Sequence, residues 1–182
     1  MNVECKSRTI HARAARLHDV DAIFRIINLY TEDNTLLPRS YSELCENVRD
    51  FVVVEAESRQ IVGCGALHLY GMHLAEIRSI AVDPFAQGGG AGDRLVRALL
   101  AEAERHDVSC VCLFTRIPGF FARFDFQIAA KEDIPDKLYK DCQRCARRFA
   151  CDETAMYRGE LPRFAILAPN GALVPRLVEL GA

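Results

Sequence analysis

The sequence has no excess of charge of either sign. Its 23 Lys and Arg stand against 25 Asp and Glu, a formal net charge of −2. Nothing in that balance calls for nucleic acid or an anionic membrane as a partner. Long apolar runs are missing as well. No stretch approaches the roughly 18 residues that a spanning helix needs. The opening segment, MNVECKSRTIHARAARL, lacks the continuous apolar core of a secretory signal, so a cytoplasmic location is expected. Internal repeats and low-complexity tracts are absent too. What is there is a chain of 182 residues, half of them hydrophobic and 26% charged. That is long enough to bury a real core and too apolar for global disorder, and it suits one domain with a short extra tail.

Cysteine is plentiful, at eight residues, but the pattern is not that of a secreted disulfide framework. Cys64, Cys110 and Cys112 sit in apolar, strand-like runs, where a thiol behaves as a small hydrophobe. Cys142, Cys145 and Cys151 cluster in a basic segment. In a reducing compartment such spacing suggests metal or thiol chemistry before disulfides. A structural zinc needs four ligands, and no His lies in the segment. A fourth would have to come from Cys45, His106 or a partner chain. Reduced thiols and a Cys142–Cys145 disulfide are the other readings, and no metal site is assigned.

The periodicity reads as follows. Residues 10–14 suit a short strand. Asp19 opens a helix with Val20, Ile23, Phe24, Ile27 and Tyr30 on one stripe. Ser40 caps a second short helix through Val48, with Glu43 completing a capping box. Residues 51–54, 61–70 and 74–82 read as three consecutive antiparallel strands. A glycine-rich loop follows, then a helix carrying Leu95, Val96, Leu99, Leu100 and Ala103. Ser109–Thr115 is an apolar, central strand. Pro118 starts a short helix bearing Phe120, Phe121 and Phe124. A strand, a basic segment and a last strand near 153–158 complete an α+β domain with a mixed sheet. Phe164-Ala165-Ile166-Leu167 in the tail suits an extra strand or a homodimer contact.

The loop is the most informative stretch: Val82-Asp83-Pro84-Phe85-Ala86-Gln87-Gly88-Gly89-Gly90-Ala91-Gly92. Its glycines allow positive φ and let backbone N–H groups converge ahead of a helix N-terminus, which makes a phosphate cradle. A Walker loop needs Lys and Ser/Thr after the last glycine, but Asp93-Arg94 follow Gly92; a dinucleotide fingerprint needs a glycine where Asp93 stands. The remaining Gln-x-x-Gly-x-Gly resembles the acetyl-CoA pyrophosphate loop of GNAT-type N-acetyltransferases. The order of elements around it resembles that superfamily too. The resemblance implies a three-layer domain whose mixed central sheet splays into a V, flanked by helices. It also implies that Ile80, Ala81 and Val82 pair with the pantetheine arm, that Gln87, Gly88, Gly89, Gly90, Ala91 and Gly92 wrap the pyrophosphate, and that Thr115 borders the arm's far side.

Acetyl transfer to an amine needs a base, a stabilised carbonyl oxygen and a tolerable leaving thiolate. Glu76, eleven residues before Gln87, stands where glutamate-using GNAT enzymes carry their base. It shares one strand face with Arg78, so an exposed Glu76–Arg78 pair is the other reading. The N–H of Val82 or Ala81 suits the oxyanion. Phe121 stands where many GNAT enzymes have a Tyr as general acid. The thiolate then leaves unprotonated, or Tyr139 or a water supplies the proton.

Five further segments resemble the short, single-domain form of N-acetylglutamate synthase. They are Leu36-Leu37-Pro38-Arg39-Ser40, Ile61 to Leu67, Glu76 to Val82, Ile134-Pro135-Asp136-Lys137, and Asp141-Cys142 through Cys145 to Cys151-Asp152-Glu153. The resemblance covers residues 8–158 and leaves 159–182 as an extension of no assigned role. It implies acetyl transfer from acetyl-CoA to the α-amine of L-glutamate in a ternary complex, the first step of arginine biosynthesis. Glutamate brings two carboxylates, which need cationic or N–H anchors. Arg39, Arg78 and Lys137 are the candidates, each also readable as a solvated surface charge. Other acceptors (glutamine, another amino acid, a polyamine) and a CoA-binding sensor without turnover stay open.

Overall fold

The computed structural model describes residues 9–32, 35–145, 147–162, 164–166 and 173–175. Seven strands form one mixed sheet in the order β1-β2-β3-β4-β5-β7-β6. They are β1 (Ile10–Ala14), β2 (Phe51–Ala56), β3 (Ile61–Gly71), β4 (Leu74–Val82), β5 (Cys110–Thr115), β6 (Gln127–Ile128) and β7 (Thr154–Gly159). β1 and β2 run antiparallel, as do β2 and β3, β5 and β7, and β6 and β7; β4 and β5 are parallel. The helices are α1 (Val20–Asn28), α2 (Tyr41–Glu46), α3 (Ala91–Arg105), α4 (Pro118–Ala122) and α5 (Pro135–Lys140). Beyond the sheet, β8 (Phe164–Ile166) pairs antiparallel with β9 (Leu173–Pro175). The expected strand 164–167 is therefore a strand over its first three residues, and Leu167 lies outside the described residues. Among the described residues no helix is long and apolar enough to cross a membrane.

The chain divides into two compact units. The first comprises residues up to Leu67 with Ile77–Glu102, and the second comprises His68–Glu76 with the residues from Ala103 on. The core of the first unit is the stripe of α1 against β2 and β3. Val20, Ile23, Ile26 and Ile27 are buried with Leu44, Phe51, Val53, Cys64 and Ala66. Each fully buried aliphatic side chain contributes roughly 1.5–3 kcal/mol. Ile26, not Phe24, completes the stripe: Phe24 is only partly buried and meets Tyr41 edge to face at 5.9 Å. Gly63 and Gly65 let α3 lie close to β3. A Cβ on Gly63 would meet Leu95 at 3.2 Å, and one on Gly65 would meet Leu99 at 3.0 Å.

At two helix starts a carboxylate is drawn to an arginine, and at one of them this changes the expected capping box. Ser40 does accept from the Glu43 N–H (3.2 Å), but the Glu43 carboxylate turns to Arg39 instead of closing the box. Asp19 is buried, accepts from the Arg16 N–H at 2.8 Å and takes two bonds from Arg13 at 2.7 and 2.9 Å. A guanidinium fork outcompetes a helix N–H for a carboxylate because both partners are charged.

The second unit is built on β5, buried along most of its length and paired with β7 over six residues. Leu74, Cys110, Cys112, Ile134 and Ala155 form its core. Thus Cys64, Cys110 and Cys112 do act as small hydrophobes. Burial pushes the Cys64 and Cys110 thiols up to about 12.

Candidate active site

The glycine loop hangs from the end of β4. The Asp83 N–H donates to the Val62 carbonyl at 2.8 Å, which continues the strand pairing by one residue. The Asp83 carboxylate is buried, accepts from the Phe85 N–H (3.2 Å) and pairs with Arg25 (2.8 Å). The Tyr30 hydroxyl donates to the Val82 carbonyl, and the Gln87 amide donates to the Tyr30 oxygen at 2.8 Å. Gln87 is thus a brace across the loop's base. Gly88 (φ 75°) and Gly90 (φ 81°) both adopt the left-handed region, which a side chain makes costly. Nothing lies within 4 Å of a Cβ built on Gly88, whereas one on Gly90 meets Arg94 at 3.0 Å. Ala91 then begins the 15-residue α3, whose first N–H groups have no partners within the helix. The positive end of its dipole favours an anion in front of the loop. Ser79 also has positive φ, 52°, so the pleat of β4 is interrupted just ahead of Ile80, Ala81 and Val82.

Arg39 and Arg78 both lie in the first unit. They line one cleft with Glu43, Asn47, Asp50 and Ser79. Glu43 holds the Arg39 guanidinium. Burial pushes the Asp50 carboxyl up, and Arg78 opposes that shift. The cleft therefore carries two guanidiniums and two carboxyls, not two bare cations.

Glu76 belongs to a different cluster, in the second unit. It lies on β4 opposite Cys112 of β5 and is 2% exposed. Lys137 of α5 donates to Glu76 Oε1 at 2.8 Å and to Asp141 Oδ2 at 3.2 Å. The Tyr70 hydroxyl, from β3, reaches Glu76 Oε2 at 2.9 Å and Asp141 Oδ2 at 3.0 Å. Burial, with the two carboxylates adding to it, pushes the Tyr70 phenol far up. Burial pulls the Lys137 ammonium down, but Glu76 and Asp141 outweigh it and the ammonium is held above its ordinary value. Lys137 is thus charged and already engaged. The exposed Glu76–Arg78 pair is not what forms: Glu76 is buried, and its cationic partner is Lys137.

Known proteins decide the family. Residues 20–126 match the acetyltransferase (GNAT) family. The chain belongs to that family. It is an acetyl-CoA-dependent N-acetyltransferase with the GNAT fold. An uncharacterized N-acetyltransferase of Chlorobaculum tepidum is 39% identical over 146 residues, covering 80% of this chain and 94% of that one. An amino-acid acetyltransferase of Mycobacterium tuberculosis is 39% identical over 116 residues, or 63% of this chain and 66% of that one. The crystal structure of N-acetylglutamate synthase from Neisseria gonorrhoeae, complexed with coenzyme A and N-acetyl-glutamate, superposes with a TM-score of 0.74 at 27% identity. That match covers 85% of this chain and 36% of the gonococcal enzyme, so the chain spans about a third of it.

In this GNAT enzyme Phe121 is 3% exposed and packs edge to face on Phe120 (4.9 Å) and Phe126 (6.1 Å). The position is one of hydrophobic packing, with no proton to give. Tyr139 lies on the surface, 37% exposed. Thr115 ends β5, is buried, and accepts from the Ile117 N–H at 3.0 Å, which shapes the turn into α4. Cys142, Cys145 and Cys151 are free thiols, like the other described cysteines, so no Cys142–Cys145 disulfide forms. Burial raises the Cys142 thiol to about 11, so it is protonated at neutral pH. Among the described residues no group of three His, Cys, Asp or Glu side chains is arranged to hold a metal.

Sequence reasoning missed Tyr70, the place of Asp141 beside Glu76, and the pairing of half-buried His73 with buried Asp136 (3.1 Å). The four-residue spacing of Lys137 and Asp141 was a usable signal, since such residues meet on a helix. Tyr70 and Ser79 offered none: one is an ordinary strand aromatic, the other a non-glycine residue in a glycine-like conformation.

Proposed function

We propose that the chain transfers the acetyl group of acetyl-CoA to the α-amine of L-glutamate, the N-acetylglutamate synthase reaction at the start of arginine biosynthesis, in the cytoplasm. The observation that carries this reading is the match to the gonococcal synthase bound to N-acetyl-glutamate, with a mycobacterial amino-acid acetyltransferase as a second relative. Residues 8–158 form the catalytic domain, and 159–182 extend it. In this reading Gln87 to Gly92 and the N-terminus of α3 hold the pyrophosphate. Backbone groups of Ile80, Ala81 and Val82 hold the pantetheine arm and thioester, with Thr115 on its far side. Glu76 takes the proton from the amine, directly or through a water. Arg39 and Arg78 receive carboxylates of the acceptor, and Lys137 supplies a point charge beside Glu76. The thiolate leaves without a tyrosine acid, since a thiol of pKa about 8.5 is a tolerable leaving group.

A second acceptor class has a specific observation behind it. Glu43 already holds Arg39, while Glu76 and Asp141 hold Lys137. That leaves Arg78 as the least committed of the three anchors, which suits an amino acid with one carboxylate, such as glutamine. A thiol-release assay with acetyl-CoA against the twenty amino acids and spermidine separates these readings. Glutamate should have the highest specificity constant, with glutamine its nearest competitor. An acceptor that brings no carboxylate to the half-buried Arg78 forgoes a charge-assisted contact of about 1–3 kcal/mol, roughly ten- to hundredfold in rate. Aspartate, one methylene shorter, and spermidine should therefore fall well behind. Efficient turnover of spermidine with glutamate inert would overturn the acceptor and leave the family intact.

A further inference from the structure

A buried base must be emptied once per turnover. The acceptor amine arrives as an ammonium. One proton leaves it before attack, and a second leaves the nitrogen after attack and balances the departing thiolate. The first proton therefore has to reach bulk water. The Glu76 side chain is 3% exposed, so it has almost no contact of its own with solvent. It does have a hydrogen-bonded route. Glu76 Oε2 lies 2.9 Å from the Tyr70 hydroxyl, and that hydroxyl lies 3.0 Å from Asp141 Oδ2. The Asp141 side chain is 32% exposed. A phenol carries a single proton, so Tyr70 cannot donate to both carboxylates at once. With one carboxyl protonated, however, the chain is satisfied in either direction. Lys137 bonds to both carboxylates, at 2.8 and 3.2 Å, and keeps their negative charge compensated as the proton moves.

We infer that Tyr70 and Asp141 form a proton relay that carries the acceptor's proton from Glu76 to solvent. The inference rests on Glu76 being the base. An ammonium N–H bond breaks and an O–H bond forms on Glu76. The Glu76 Oε2–H bond then breaks as the Tyr70 oxygen takes that proton, while the phenol's own O–H breaks and Asp141 Oδ2–H forms. Asp141 gives its proton to water. Tyr70 ends as it began, with a different hydrogen, and Glu76 is a carboxylate again. Tyr70 and Asp141 act through Glu76, so they are relay residues and Glu76 remains the base.

The test is Tyr70→Phe, which keeps the ring and removes the relay oxygen, together with Asp141→Asn, which keeps the shape and removes the proton acceptor. Turnover is followed in dilute buffer with acetyl-CoA and whichever amine the parent acetylates. Both variants should lose about tenfold or more in kcat. Added imidazole, a small proton carrier, should restore much of the loss while leaving the parent unaffected. A Tyr70→Phe enzyme with parental kcat at every imidazole concentration overturns the relay. So does a loss that imidazole does not restore in either variant, because that outcome makes Tyr70 and Asp141 simple props for Glu76. Glu76→Gln is the control for the underlying reading: parental turnover in that variant removes the base itself, whatever the relay variants do.

Discussion

The glycine loop and the Glu76 cluster solve a similar problem by different means. Residues 87–92 present backbone groups, and their geometry depends on two positive-φ glycines and the start of α3, all contiguous in the chain. The Glu76 cluster presents side chains, and its members come from β3, β4 and the segment around α5, up to 71 residues apart. The loop is exposed around Gly88, while Glu76 is buried. A backbone cradle tolerates water, because its N–H groups are satisfied by solvent until a phosphate displaces it. A buried carboxylate does not, and it needs its charge compensated in place. Loss of a side chain should therefore strike the two regions unequally.

The largest expected effect comes from Glu76→Gln. A general base contributes typically ~10²–10⁴-fold, so kcat should fall by that order while the affinity for acetyl-CoA stays near parental. A loss under threefold, with chemistry shown to be rate-limiting, would leave Glu76 as no more than a partner of Lys137. Next is Lys137→Ala. It leaves Glu76 and Asp141 without their shared cation, and removing one member of a buried ion pair costs about 3–5 kcal/mol. The thermal unfolding midpoint should drop accordingly, and an unchanged midpoint would show the cluster to be solvated.

Gly90→Val probes the other region and should do the reverse of Glu76→Gln. A side chain at φ 81° costs about 1–3 kcal/mol, and it fills the space in front of α3. Calorimetry should show CoA binding weakened about ten- to hundredfold, with kcat at saturating acetyl-CoA much less affected. Equal affinity in parent and variant would remove the loop from the binding site.

The smallest effect concerns pH. Cys142 is raised to about 11, and Cys64 and Cys110 to about 12, chiefly by burial. Unfolded, these thiols ionise near about 8.5. Their folded pKa values are higher, so the protonated form favours the folded state, and that stability is complete below the unfolded pKa. It is lost as pH rises through the window from about 8.5 to the folded values near 11 and 12. Unfolding midpoints should be flat from pH 7 to 8 on this account and fall above that range. Iodoacetamide should modify the three thiols slowly at pH 8. Rapid alkylation of Cys64 or Cys110 in the folded protein would contradict their burial.

Much of the fold was legible because it is written in local periodicity. Residues 61–71 and 74–82 alternate or run apolar between turn residues, and α3 repeats its leucines at helical spacing. The glycine loop was legible for the same reason, since every residue that shapes it is a neighbour in sequence. Ile26 was harder to place, because α1 has more apolar residues than one stripe can hold and only packing chooses between Ile26 and Phe24. The alternative reading of Glu76 named Arg78, two residues away, because sequence proximity is all that a chain displays; the partner in the fold is Lys137, sixty-one residues away.

The chain alone thus settled the order of its strands and helices as far as α4, the position of its glycine loop and the presence of a carboxylate eleven residues before it, but not α5 or β9. These follow from backbone preference and hydrophobic periodicity, which act over a few residues. The tertiary structure decided which charges neutralise one another: Glu43 on Arg39, Asp83 on Arg25, and Lys137 shared between Glu76 and Asp141. Ion pairing depends on distance and burial, and neither is defined until the chain has folded and water has been excluded.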